Sequence, residues 1–163
     1  MAEFALVAPL FFLLMFGIIQ LGLLFGGQNG LVGATRDEAR YAAPFHVGTA
    51  TDAANVCADA ASSHGLGTQL TATMQRAIPG YDSSEVATRH VTYSWHSNPD
   101  GTYYVQLQIH VAYRFPLYVP LISSVLDGFD GVSDAHLKLD ATETMRIENE
   151  GLTSTFGDVG CDI

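Results

Sequence analysis

Phe4 to Gly26 reads FALVAPLFFLLMFGIIQLGLLFG, 23 residues without a charge, and no charged residue occurs between Glu3 and Arg36. As an α-helix rising 1.5 Å per residue the run is roughly 34 Å long, enough to cross a hydrocarbon core of about 30 Å. Apolar residues occupy every side of it, as a helix facing lipid or sister helices requires. A soluble core could not enclose it, because a chain of 163 residues holds too little other apolar sequence. A cleaved secretory signal fails on its flanks: no basic residue precedes the run, and the run exceeds a usual signal core. The segment is therefore expected to persist as a membrane-spanning helix. Neighbouring Lys or Arg ordinarily orient an inserting segment, so removal of a basic leader is the expected explanation of the bare N-terminal flank.

Within the run Gly22 and Gly26, continued by Gly30, recur every four residues on one helical face, with Gly17 and Gly33 nearby. Small residues at this spacing let helices approach closely inside a membrane, although membrane helices are also enriched in glycine generally. Pro9 predicts a kink or a loosened turn. Glu3 stands at the edge of the apolar stretch, where a carboxylate is costly unless it is paired or solvated at the interface. The natural cation for it is an α-amino group, its own or a neighbour's.

The remaining chain has the opposite character. Almost all of the net charge of −10 lies after Arg36, with only seven Lys and Arg in the whole sequence. Nucleic-acid binding needs a basic footprint, so this class is excluded. Docking on anionic lipid head groups is disfavoured for the same reason. The two cysteines, Cys57 and Cys161, have no metal-type spacing. In an exported chain they read as one disulfide, the alternative being a buried thiol on an Ala-rich helix and a free one in the tail.

After Pro44 the periodicity changes. Asp52 to Ser62 reads as an Ala-rich helix and Leu70 to Ile78 as a second short one, stopped by Pro79-Gly80. Glu85–Trp95 and Tyr103–Tyr113 alternate in period two, and the intervening HSNPDG predicts a β-hairpin. Ala135 to Ile147 gives a third strand, placing Leu137, Leu139, Ala141, Met145 and Ile147 together. The expected fold is α+β: a long N-terminal hydrophobic helix carrying a small head of short helices and a three-stranded antiparallel sheet. The lower half of the long helix and the Ala-rich helix are the candidates to cover the sheet's apolar face. Residues 1–44 form the transmembrane or assembly helix and 45–163 an extracytoplasmic head. The tail from Gly151 is expected to be irregular unless Cys161 pins it.

Reactive chemistry is thinly represented. His90, His110 and His136 fall on the polar face of the sheet, with His96 near the turn, and read as solvated surface histidines rather than metal ligands. Asp127, Asp130 and Asp134 in LDGFDGVSD supply oxygen ligands on a glycine-rich loop, a weak calcium candidate without the spacing of an EF-hand. Leu117–Val125, flanked by Pro116 and Pro120, is an apolar segment that either caps the core or offers a contact patch. No GxSxG, HExxH or P-loop string occurs. The expectation is a non-enzyme without cofactor.

The opening Ala2-Glu3-Phe4-Ala5-Leu6-Val7-Ala8-Pro9, the apolar helix through Gly17-Ile18-Ile19-Gln20-Leu21-Gly22, and the continuation NGLVGATRDEARYAA (29–43) resemble TadE-like pilins of the tight-adherence (Tad) pilus system. In that family a prepilin peptidase cuts a short basic leader, and an acid lies about five residues into the mature chain. Met1-Ala2 before Glu3 depart from that spacing. The resemblance implies a pilin-like subunit, more often a minor than a major one. It packs through its N-terminal helix with copies of itself or with other pilins, supporting adhesion or pilus biogenesis. It also implies Glu3, with Phe4, as the assembly acid that neutralises a neighbour's N-terminus. Residence in the bacterial inner membrane, contact with the inner-membrane assembly machinery, and later exposure in a cell-surface pilus follow from it. The competing reading is a single-pass anchored extracytoplasmic binding domain.

Overall fold

A computed structural model of the chain describes residues 2–45, 47–60, 65–119, 134–152 and 155–163, with side chains from residue 7 onward except those of 58–60 and 148–151. The first helix, α1 (Ala2–Ala42), runs for 41 residues with Pro9 inside it. Its last turn carries Arg40, a favourable charge at a helix C-terminus. Two shorter helices follow, α2 (Ala50–Ala60) and α3 (Leu66–Ala77). A reciprocal cap starts α2: Thr49 Oγ1 accepts from Asp52 N at 3.1 Å while Asp52 Oδ2 accepts from Thr49 N at 2.9 Å. α3 stops at Pro79-Gly80, where Gly80 turns the chain at φ +69°.

A short 3₁₀ turn (Ser83–Glu85) leads into the sheet, made of β1 (Val86–Ser97), β2 (Tyr103–Pro116), β3 (His136–Leu152) and β4 (Val159–Asp162). Their order is β3-β2-β1-β4, antiparallel throughout. The β1–β2 hairpin closes at the HSNPDG stretch. There Asn98 N donates to Thr102 O at 2.7 Å, Asp100 Oδ1 accepts from Thr102 N at 2.9 Å, and Gly101 takes φ +83°.

Three strands were expected and four are present among the described residues. The fourth comes from the tail, where VGCD is too short and glycine-broken to show an alternating pattern. Its strand character is imposed from outside. Tyr93 pairs with Val159 and His90 with Asp162, Ile163 N donates to Arg89 O at 2.9 Å, and Cys161 is bonded to Cys57 of α2.

The inner face of the sheet is continuous apolar surface. Val105, Leu107, Ile109, Val111, Tyr113 and Phe115 of β2 are all fully buried, as the period-two reading requires. α1 lies across β2 and β3, and α3 packs beside α1 through Leu66, Leu70 and Met74 at four-residue spacing. Thus the long helix covers the sheet as expected. The Ala-rich α2 covers only the β4 edge of the sheet and packs beside α3.

Candidate functional site

The two halves of α1 live in different surroundings. From Val7 to Ile19 its side chains are exposed or half-buried on every side. From residue 20 onward one stripe sinks into the head: Gln20, Leu24, Gly27, Leu31, Ala34, Glu38 and Ala42 are all buried. These positions are three or four residues apart, the signature of a single helical face. Gly27 in the stripe lets the backbone of α1 come close to the sheet. A Cβ on Gly27 would lie 2.6 Å from the Phe115 ring. The helix as a whole is long and apolar enough to cross a membrane. The uncharged run 4–26 is the segment suited to that role, whereas the charged part from Arg36 is seated in the head.

Polar anchors fix this seating. Gln20, 1% exposed, accepts a hydrogen bond through Oε1 from Tyr118 N at 3.0 Å, and its Nε2 is buried without a partner. Gln28 Nε2 donates to the Asp140 carbonyl at 3.0 Å, and Arg36 Nε pairs with Glu143 Oε2 at 3.4 Å. Glu38 lies deeper. It is buried, one carboxyl oxygen has no partner, and desolvation pushes its pKa up to about 8. Tyr93 on β1 is buried in the same region. Burial first, and the nearby Glu38 second, push its phenol up to about 12.

The glycine row is divided between two environments. Gly22 has open space beside it, and a Cβ on Gly26 would sit 3.8 Å from Pro79 Cγ. Gly30 instead faces the C-terminal end of α3, where a Cβ would collide with the Ala77 carbonyl. That glycine serves a close approach within the subunit. Glu3 and Phe4 lie in the first turn of α1, and their side chains fall outside the described ones. Cys57 and Cys161 form a disulfide, with S–S 2.00 Å and Cα–Cα 5.9 Å, that fastens β4 to α2.

Of the calcium candidates, Asp127 and Asp130 lie outside the described residues. Asp134 accepts from His136 N at 3.0 Å and lies 3.9 Å from Arg114 Nη1. The sheet histidines each face carboxylates: His90 meets Asp162 at 2.8 Å, His110 meets Asp140 at 3.3 Å, and His136 lies between Glu85 at 3.7 Å and Asp134 at 3.8 Å. His96 stacks on Tyr104. Among the described residues no group of three or more His, Cys, Asp or Glu is placed to hold a metal ion.

Sequence reasoning missed Gln20, Gly27 and Glu38 as the residues that seat α1. A signal was available for one of them, since Gln20 is the lone strongly polar side chain in the uncharged run.

Residues 1–40 match the family model described as TadE-like protein. The match agrees with the resemblance to TadE-like pilins carried by the opening residues. It covers α1 almost to its end and none of the sheet. No curated protein and no solved structure matches the chain.

Proposed function

We propose that this chain is a pilin-type subunit of a tight-adherence pilus, a minor or filament-forming pilin, inserted in the bacterial inner membrane before assembly and exposed at the cell surface afterwards. The observation that carries the proposal is the division of α1. One half is apolar and open on every side, whereas the other is built into the core of the head, so the head and the helix move as one body. A helix uncovered on all sides needs lipid before assembly and sister helices after it, and a pilus bundle supplies the second. The match of residues 1–40 to the TadE-like model supports the same reading.

In this account Glu3 sets the axial register of the bundle. A carboxylate left unpaired among apolar helices costs about 3–5 kcal/mol, so subunits add where a neighbour's α-amino group meets it. Gly22, with open space beside it, is the point of closest helix approach, and Gly26 lies at the margin of that surface. Partners are other copies of this chain or other pilins, delivered by the inner-membrane assembly machinery. The head is a structural and contact module, contributing to adhesion or pilus biogenesis rather than to catalysis.

The test is Glu3→Gln, which keeps the shape and removes the charge. The variant should reach the membrane at wild-type level and be lost from the sheared surface fraction. Equal recovery of both proteins would assign Glu3 no assembly role and favour a monomeric anchored domain.

A further inference from the structure

The hydrogen bond between Gln20 and Tyr118 N marks where the head ends along α1. Below it, the roughly 18 residues from Ala2 to Ile19 form about 27 Å of helix, close to the ~30 Å thickness of a hydrocarbon core. The underside of the head therefore meets the membrane boundary directly, without a linker. Among the described residues that underside carries the Pro79-Gly80 turn, packed near Gly26, and Tyr118, whose hydroxyl lies over Gly80.

Exposed large apolar or aromatic side chains are scarce on the head. Outside α1 the described residues show only two, Tyr118 and Phe156. Phe156 rests against Trp95 at the far end of the sheet. Tyr118, 55% exposed, stands where α1 leaves the head. On the uncovered side of the helix, Leu21 and Phe25 are exposed within about 8 Å of Gln20 along the axis. Phe25 is 68% exposed, and no charge follows it before Arg36. Tyrosine and phenylalanine ringing the point where a helix leaves the bilayer match the preference of aromatic side chains for the head-group level.

We propose that the underside of the head, through Tyr118 together with Leu21 and Phe25, docks into the interface of a zwitterionic phospholipid bilayer before assembly. The inference rests on the reading of the open part of the uncharged run, residues 4–19, as membrane-spanning. Lipid is the occupant because the surface begins where the spanning segment ends. The net charge of −10 disfavours anionic lipid as the attracting component. Docking fixes both the height and the tilt of the head, so every waiting subunit presents α1 at the same depth.

The chain has a single tryptophan, Trp95, about 30 Å along β1 from the Val86 end near the membrane. The test uses full-length protein in two sets of phosphatidylcholine vesicles, brominated close to the glycerol backbone to read the head surface or deep in the acyl chains to read Leu14, and follows quenching of tryptophan emission. Three reporters are compared: the natural Trp95, and Tyr118→Trp and Leu14→Trp, each in a Trp95→Phe background. Quenching of the Tyr118→Trp and Leu14→Trp emission by about half or more, with Trp95 unaffected, is the expected result. Phe25→Trp reads the same surface from α1 and should be quenched likewise. An unquenched Tyr118→Trp beside a quenched Leu14→Trp would show the head standing clear of lipid, which overturns docking and leaves the spanning helix intact. An unquenched Leu14→Trp would overturn the spanning reading, and docking with it.

Discussion

Gln20 Oε1 and Tyr118 N, 98 residues apart in sequence, are joined at 3.0 Å on the underside of the head. The bond ties the start of the β2–β3 connection to the middle of α1. It makes one residue in a lipid-like helix the marker of where protein packing begins. In Gln20→Ala the Tyr118 amide loses its acceptor, and hydrogen exchange at that amide should accelerate at least tenfold, equivalent to about 1.4 kcal/mol of lost protection. Unchanged exchange would mean that other contacts hold the segment.

The two ends of the glycine row should respond differently. Gly30→Ala places a methyl group on the Ala77 carbonyl, so the head should lose about 1–3 kcal/mol of stability, seen as a lower denaturant midpoint. Gly22→Leu meets nothing within the subunit, so its midpoint should match the wild type while recovery in the sheared fraction falls. If both variants lower the midpoint alike, the row is structural along its whole length.

Glu38 makes the head lose stability as pH rises through the neutral range. Its carboxyl keeps its proton up to about pH 8 in the fold, against an ordinary value of 4.5 in the unfolded chain. Between those limits the unfolded state releases a proton that the folded state holds. Stability is therefore full below about pH 4.5 and declines as pH rises toward 8, by up to about 1.4 kcal/mol per pH unit. Glu38→Gln should abolish this slope and unfold at a higher denaturant concentration than the wild type at pH 7.5. Parallel pH profiles for the two proteins would place the carboxyl in contact with water.

The Cys57–Cys161 bond closes a loop with a sequence separation of 104 and is the covalent hold on β4. Paired Cys57→Ser and Cys161→Ser substitution should cost about 4–5 kcal/mol in the chain-entropy account. It should also deprotect the β4 amides before those of β2. Native protein that takes up two alkyl groups without reductant would contradict the bond.

The elements that were legible in the sequence are those with a clear period. β2 alternates from Tyr103 to Tyr113, and the first half of α1 is almost wholly apolar, so local pattern and tertiary environment agree. β4 was not legible, because a disulfide and four backbone pairs, rather than its own residues, make VGCD a strand. The seat of α1 was only half legible. Gly27 and Gly30 read alike with Gly22 as small residues, and only the positions of Phe115 and Ala77 separate internal packing from free surface. Glu38 sits among Arg36, Asp37 and Arg40 and reads as part of a solvated charged turn. Its burial follows from the rotation of α1 fixed by Leu31 and Ala34, seven and four residues earlier.

The central claim is that the open half of α1 carries this chain into a surface filament. Immunogold electron microscopy of sheared surface material, with an antibody raised against residues 65–119, tests it most directly. The account predicts gold along thin filaments from wild-type cells and none along filaments from cells expressing Glu3→Gln. Gold confined to membrane fragments in wild-type preparations, with unlabelled filaments beside them, would contradict it.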